Sequence, residues 1–120
     1  MIKHILVVDD DEMNLKRTEM ILEKHYEVVL AKSGEKALDI LKNQRIDLIL
    51  LDIEMPGMNG IETFGRLKAR YDQIPVIFLT ASGDEDDVLS AIKLGAANYI
   101  KKPFLPRDLL KRIAKELYGK

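Results

Sequence analysis

Several short apolar stretches of the sequence end in side chains that can bind a cation or take part in group transfer. In a parallel sheet the ligand crevice lies at the carboxyl ends of the strands. If the stretches form neighbouring parallel strands, the side chains that follow them converge at one edge of the sheet. This edge then has carboxylates, a hydroxyl and an ammonium group. These side chains are Asp9, Asp10 and Asp11 after the first stretch, Asp52 after the third, Thr80 after the fourth and Lys102 after the fifth.

The carboxylates after the first stretch predict a divalent-cation site. Helix capping is the alternative, since an acidic side chain at a helix N-terminus is worth about 0.3–1 kcal/mol, but one Asp satisfies that role. Two carboxylates about 4 Å apart repel by ~4 kcal/mol at an effective dielectric near 20. A divalent cation between two or three carboxylates of the acidic run and Asp52 relieves this repulsion. Oxygen ligands that are few in number favour Mg²⁺ over a Ca²⁺ cage.

Asp52 follows the most hydrophobic stretch of the chain, where a lone carboxylate is costly unless it is paired or used. A carboxylate can act as a nucleophile toward phosphorus, with a metal ion and a lysine neutralising the transferred group. Thr80 is then positioned to bond a phosphoryl oxygen, and Lys102 to pair with it. Taken singly, Thr80 is an ordinary strand residue and Lys102 a solvated charge; the acidic cluster favours the chemical interpretation.

The elements that must position these residues follow from periodicity. Five continuous apolar stretches indicate strands buried on both faces, and charged segments with apolar residues at helical spacing lie between them. The last segment is the clearest helix, with Pro106 in its first turn and one apolar face formed by Leu109, Leu110, Ile113 and Leu117. Strict alternation predicts a doubly wound α/β domain in which five helices cover a five-stranded parallel sheet. The five apolar stretches occupy residues 5–8, 28–30, 48–51, 76–79 and 99–100.

Length, charge and cysteine content limit the classes of protein to which the chain can belong. A chain of 120 residues suits one compact domain, which we assign to residues 1–120. Its net charge of −1 gives no basic footprint for nucleic acid, so we expect no direct contact with DNA. No cysteine is present, which excludes disulfides and thiolate metal sites. We see no export signal or membrane span and expect a cytoplasmic protein.

Four motifs together give the chain a close resemblance to the receiver domains of two-component response regulators, the chemotaxis-regulator-like family. The resemblance covers residues 3–117. It implies a flavodoxin-like fold with strand order 2-1-3-4-5. The matching segments are ILVVDD at 5–10, DIEMPGMNG at 52–60, TA at 80–81 and GAANYIKKPF at 95–104.

The resemblance also implies a mechanism. Asp52 would accept a phosphoryl group from the phosphohistidine of a histidine kinase or a histidine phosphotransfer protein, and the domain would then act on a downstream effector. Asp10, Asp52 and the backbone carbonyl of Glu54 would hold Mg²⁺, with Asp9 supporting the ion through water. The protein would promote only its own phosphorylation and dephosphorylation, without being an enzyme for a separate substrate.

Two further expectations come from the same resemblance. Thr80 and Tyr99 would form the switch, with Thr80 bonding the phosphoryl group and Tyr99 changing rotamer, although a tyrosine at a strand end is more often half-buried packing. The Lys102-Pro103 peptide bond would be cis. Glu54 stands close to the attacking water, and its charge leads us to expect an effect on hydrolysis.

Other functions compete with this interpretation. A nucleotide- or flavin-binding module would need Gly, Ser and backbone amides after the first strand, where this chain has Asp9 and Asp10. A Mg²⁺-dependent phosphohydrolase would use a similar nucleophilic Asp but would not retain the phosphoryl group. A receiver-like interaction domain without phosphorylation would not need the set of Asp10, Asp52, Thr80 and Lys102.

Overall fold

The computed structural model describes residues 2–81 and 85–119. Within them, strands and helices alternate along the whole chain, as the periodicity predicts. The strands are β1 (His4–Val8), β2 (Glu27–Ala31), β3 (Leu48–Asp52), β4 (Val76–Thr80) and β5 (Asn98–Lys101). The helices are α1 (Glu12–Leu22), α2 (Gly34–Asn43), α3 (Gly60–Arg70), α4 (Glu85–Lys93) and α5 (Pro106–Tyr118).

All neighbouring strands are parallel, and their order across the sheet is β2-β1-β3-β4-β5. The α/β class and the strand order implied by the family resemblance are both confirmed. From β1 the chain passes to β2 on one side of β1, and then returns to form β3 on the opposite side of β1. Such a reversal opens a crevice at the carboxyl ends of the two strands, and Asp9 and Asp52 lie there.

Alternate residues along each central strand pack into two separate apolar clusters, as the two-residue period of a strand requires. On one face, side chains such as Val7 and Leu50 pack with α1 and α5. On the other face, Val8 and Leu51 pack with α2, α3 and α4. The predicted apolar face of α5 is confirmed, since Leu109 and Ile113 are fully buried in the first of these clusters. The sheet therefore lies between two apolar layers.

The outer strands differ from the prediction. Every residue of β3 and β4 is buried, but β2 is mostly half-buried and β5 alternates between exposed and buried positions. The prediction of strands buried on both faces is therefore wrong for β2 and β5. Each has a neighbour on one side only, and helices leave the edges of the sheet partly open to solvent. Short apolar stretches do not distinguish edge strands from central ones.

Polar side chains cap the starts of two helices, and a third begins at the proline predicted in its first turn. Ser33 accepts the N–H of Lys36 and caps α2, and Asn59 accepts the N–H of Glu62 and caps α3. Pro106 begins α5. Among helices in the described part of the chain, none is both long and apolar enough to cross a membrane.

Candidate functional site

Three carboxylates meet at the carboxyl edge of the sheet. Because β1 and β3 are neighbours in register, Asp9 and Asp10 after β1 are brought beside Asp52 at the end of β3. One oxygen from each carboxylate lies within 4.8 Å of the others. Asp9 and Asp52 are 2% and 7% exposed, while Asp10 is open to solvent. The convergence predicted from the strand endings is present.

The remaining acids of the run have other partners. Asp11 is the N-cap of α1, and its carboxylate accepts the backbone N–H groups of Met13 and Asn14. Glu12 forms an ion pair with Lys32 across the surface, and this pair lowers the pKa of Glu12. Capping therefore accounts for one aspartate, as the sequence argument required, and Asp9 and Asp10 are left for the site.

Lys102 reaches the carboxylates from the loop that follows β5. Its backbone N–H donates to the carbonyl of Thr80 at 2.8 Å, which fixes the start of the loop. Its ammonium nitrogen Nζ lies 3.2 Å from Asp9 Oδ2 and 3.4 Å from Asp52 Oδ1. The next peptide bond, to Pro103, is cis, as the resemblance implied. The lysine thus bridges the two buried carboxylates.

One lysine does not neutralise the site. The pKa of Asp52 is raised to about 6: burial raises it most, Lys102 lowers it, and the negative charges of Asp9 and Asp10 add to the rise. Desolvation and neighbouring like charges both disfavour the ionised form of a carboxyl group. The donor set consists of carboxylate oxygens, two of them nearly buried and one exposed to solvent. A small hard cation that keeps some of its waters, such as Mg²⁺, fits these residues.

The loop between β3 and α3 lies directly against Asp52. The N–H of Gly60 donates to the carbonyl of Ile53 at 2.8 Å. A Cβ atom at position 60 would collide with the backbone carbonyl of Asp52 and with Ile53. Only glycine lets the start of α3 approach β3 this closely, and this approach sets the course of the loop that contains Glu54.

Thr80 and Tyr99 lie on neighbouring strands but in different surroundings. Thr80 is buried at the end of β4, and its hydroxyl donates to the carbonyl of Ala81 at 3.1 Å. The Tyr99 side chain on β5 is 40% exposed, and its backbone carbonyl accepts a hydrogen bond from Arg112 of α5. Tyr99 is outside the carboxylate cluster. It is one of the exposed large apolar side chains and is a member of neither described apolar cluster.

Sequence reasoning missed two features of the site. It expected Lys102 to meet a phosphoryl group and did not anticipate its ion pair with Asp9, because no pattern reports pairing across 93 positions. It included Gly60 only as the last residue of the matching segment 52–60 and did not identify its contact with Asp52. The signal for the second was present, since Asn59 before Gly60 is a capping residue followed by the one residue without a Cβ.

Comparisons with known proteins agree with this geometry. Residues 5–114 match the family model described as the response regulator receiver domain. The chain is 46% identical over 110 residues to the transcriptional regulatory protein CpxR of Escherichia coli K12, covering 91% of this chain and 47% of that protein. It is 40% identical over 111 residues to the response regulator SaeR of Staphylococcus aureus USA300, covering 92% of this chain and 48% of that protein.

A solved structure is similar over nearly the full length of both chains. A CheY-like receiver domain protein from Methanospirillum hungatei JF-1 superposes with a TM-score of 0.94 at 34% identity, covering 99% of this chain and 96% of that one. By contrast, this chain spans about half the length of the curated relatives it matches. The similarity to those relatives therefore concerns one part of each.

Proposed function

Since the chain belongs to the response regulator receiver domain family of two-component systems, we propose that it accepts a phosphoryl group on Asp52 and changes its surface in response. The observation that carries the proposal is the position of Asp52, nearly buried at the end of β3, with the Lys102 ammonium 3.4 Å away. Receiver domains are regulators and not enzymes in the usual sense. We assign the receiver to residues 1–120.

Asp10, Asp52 and the backbone carbonyl of Glu54 are the groups that we propose to hold Mg²⁺, with Asp9 supporting the ion through water. When bound, Mg²⁺ supplies positive charge that stabilises the oxygens of the transferring group. The grouping of three carboxylate oxygens within 4.8 Å supports this assignment. The charges of Asp9 and Asp10, which contribute beside burial to the raised pKa of Asp52, are ones that a bound cation would offset.

The chemical step uses the residues of the chain as follows. An oxygen of the ionised Asp52 carboxylate attacks the phosphorus of a phosphohistidine, the new P–O bond forms, and the P–N bond breaks. The imidazole nitrogen leaves with the electron pair of that bond. Lys102 pairs with the phosphoryl oxygens while remaining close to Asp9. With a pKa of about 6, Asp52 is mostly ionised at neutral pH and ready to attack.

The switch that we propose runs from Thr80 to Tyr99. Thr80 ends the strand next to β3, and Leu79 pairs in register with Asp52. The Thr80 hydroxyl now donates to the Ala81 carbonyl, and a phosphoryl group on Asp52 offers it a stronger, charged acceptor. Turning Thr80 toward that acceptor changes the space beside β5, where Tyr99 is half-exposed. A rotamer change of Tyr99 then alters the surface that a downstream effector contacts.

The phosphodonor that we propose is a histidine kinase or a histidine phosphotransfer protein of the cytoplasm. A cleft of about 430 Å³ opens beside Lys102, between α1 and the loop before α5. On the same helix Met13 and Met20 are 71% and 67% exposed. Methionine side chains adapt to varied partner surfaces. This region offers the donor protein an apolar contact next to the acceptor, and we propose no direct contact with nucleic acid or membrane.

Glu54 is exposed and follows Asp52 by two residues. We propose that its charge influences the attack of water on the phosphoryl group and so the lifetime of the modified state.

The experiment that tests the function itself is a measurement of intact mass after incubation with acetyl phosphate and Mg²⁺. Addition of one phosphoryl group to the wild type and none to Asp52→Asn is expected.

A further inference from the structure

A second cleft lies far from the acidic site, between the ends of α2 and α3. Its volume is about 360 Å³. Because Gly60 at the start of α3 touches Asp52 and a helix rises about 1.5 Å per residue, the last turn of α3 is ~15 Å farther along. The floor is formed by Leu38, Ala69 and Tyr71 and the rim by Lys42, Arg66 and Arg70.

The floor is apolar, and two of its three residues pack against the core. Leu38 and Tyr71 are partly buried and pack against the cluster under α2 and α3. Ala69 between them is exposed. A cavity of this size accepts one or two large apolar side chains, and its walls are already held in place by the core.

The rim is cationic and incompletely paired. Lys42 is 3.6 Å from Asp39, but the side chains of Arg66 and Arg70 make no ion pair or hydrogen bond within the described part of the chain. Of the acids nearest in sequence, Asp72 pairs with Lys68, and Glu62 forms no ion pair with Arg66 among the residues that the structure describes. Cations are favoured in the last turn of a helix, which accounts for Lys42 and Arg70. Arg66 lies one turn earlier, and like charges four residues apart on a helix repel.

Gly65 adds an independent observation. It is exposed in the interior of α3, and a Cβ atom there would meet nothing within 4 Å. Glycine in a helix interior costs about 1 kcal/mol relative to alanine, and packing within the described chain gives no reason for it. Gly65 and Ala69 lie one turn apart beside Arg66. Together they leave a low surface on which another backbone can approach the helix closely.

From these features we propose that the cleft between α2 and α3 docks an acidic protein segment that carries one or two large apolar side chains. Its carboxylates pair with Arg66, Arg70 and Lys42, and its apolar side chain enters the cleft over Leu38 and Tyr71. The cationic rim favours a partner segment of negative charge. The apolar floor favours a protein segment with apolar side chains. A nucleic acid backbone fits less well, because the rest of this chain carries net negative charge and a phosphate backbone gains little from an apolar floor.

The test is a titration of the ¹⁵N-labelled protein with a ten-residue peptide, in which a Leu-Phe pair is flanked by Asp and Glu. The control probes are the same peptide with Lys for each acid, the same peptide with Ser for Leu and Phe, and a ten-nucleotide oligothymidine. The test variant is the double charge reversal Arg66→Glu/Arg70→Glu. Its matched control is Arg107→Glu/Lys111→Glu, a pair of exposed cations with the same spacing on α5.

We expect amide shifts confined to the last turns of α2 and α3 with the acidic apolar peptide, and affinity at least about tenfold lower for either altered peptide. Arg66→Glu/Arg70→Glu should weaken binding by a similar factor, while the α5 control should bind as the wild type does. The proposal is overturned by no shift up to millimolar peptide. It is also overturned by equal loss in both double variants or by tighter binding of the oligonucleotide at the same residues.

Discussion

The ammonium nitrogen of Lys102 lies 3.4 Å from Oδ1 of Asp52, although 50 residues separate the two in the sequence. The loop after β5 thus brings a positive charge to the carboxyl end of β3. Because Asp9 shares the same ammonium at 3.2 Å, one cation faces two buried carboxylates. The balance of charge at this point determines how readily Asp52 is ionised and how strongly the site attracts a metal ion.

Removing the positive charge should raise the pKa of Asp52. In Lys102→Met the favourable effect of the ammonium is lost while burial and the charges of Asp9 and Asp10 remain, so the pKa moves above its value of about 6. A carboxyl-carbon NMR titration with excess chelator measures it. The variant Lys111→Met, which changes an exposed lysine on α5, should leave it unchanged. An equal or lower pKa in Lys102→Met would show that the ammonium does not reach Asp52 in solution.

Asp52→Asn should be more stable than the wild type at neutral pH without metal. The folded-state pKa of Asp52 is raised from 3.8 to about 6, so its charge opposes folding above pH 6 and this cost disappears as pH falls toward 4. One pKa unit corresponds to about 1.4 kcal/mol, and screening at the open side of the site reduces the effect. We expect the free energy of unfolding of Asp52→Asn to exceed that of the wild type by ~1–2 kcal/mol at neutral pH.

Urea unfolding at a series of pH values measures this difference. The gain of Asp52→Asn over the wild type should be largest above pH 7 and should shrink below pH 5. Asp39→Asn, which removes an exposed carboxylate on α2, should show no comparable gain. A stability difference that is independent of pH would refute the electrostatic explanation.

Asp10 and Asp11 should differ sharply in their contribution to Mg²⁺ binding. Asp10→Asn removes a proposed ligand and should lower the affinity for Mg²⁺ by at least about tenfold, since the number of carboxylate charges governs that affinity. Asp11→Asn should bind as the wild type does, because Asp11 caps α1 and asparagine caps equally well. Thermal shift at increasing Mg²⁺ reports the affinity, with ~2.7 kcal/mol of stabilisation at a hundredfold excess over Kd.

The pH dependence of the same titration is a second readout. Protons and Mg²⁺ compete for Asp52, so wild-type affinity should fall as pH is lowered through about 6. If Asp10→Asn and Asp11→Asn lower the affinity for Mg²⁺ equally, the ion is bound by the exposed acidic run as a whole and not by the site described above.

Two glycines of α3 should respond in opposite ways to alanine. Gly60→Ala places a Cβ against the carbonyl of Asp52 and the backbone of Ile53, and overpacking of this kind costs about 1–3 kcal/mol. It should also weaken Mg²⁺ binding by displacing the loop that contains Glu54. Gly65→Ala faces open space and should stabilise the helix by up to about 1 kcal/mol. Chemical denaturation of both variants decides this, and a stabilising Gly60→Ala would contradict the close packing against β3.

The sequence was sufficient for much of the fold and for the gathering of the site, because both depend on local pattern. Continuous apolar stretches and alternation define a parallel sheet, and the carboxyl ends of its strands must share an edge. That the acidic run after β1 meets Asp52 follows from that rule alone, whereas the choice of Asp9 and Asp10 within the run was obtained from the family resemblance. Strand order did not follow from pattern, and it was obtained from the family resemblance.

Features that depend on contacts between distant segments were not predictable in the same way. The half-exposed state of β2 and β5 reflects their place at the edges of the sheet, which periodicity does not encode. The ion pair of Lys102 with Asp9 and the contact of Gly60 with Asp52 arise only when loops from different parts of the chain meet. The lack of a side-chain partner for Arg66 and Arg70 within residues 2–81 and 85–119 likewise becomes apparent only once their neighbours in space are known.

The measurement that tests the central claim most directly is intact mass after incubation with acetyl phosphate, for wild type and Asp52→Asn, with Mg²⁺ and with excess chelator. We predict one added phosphoryl group for the wild type with Mg²⁺ and none for the other three combinations. If the wild type gains no phosphoryl group with Mg²⁺, even with a phosphorylated histidine kinase as donor, phosphoryl transfer to Asp52 is contradicted. An adduct that persists in Asp52→Asn would contradict the assignment of the acceptor.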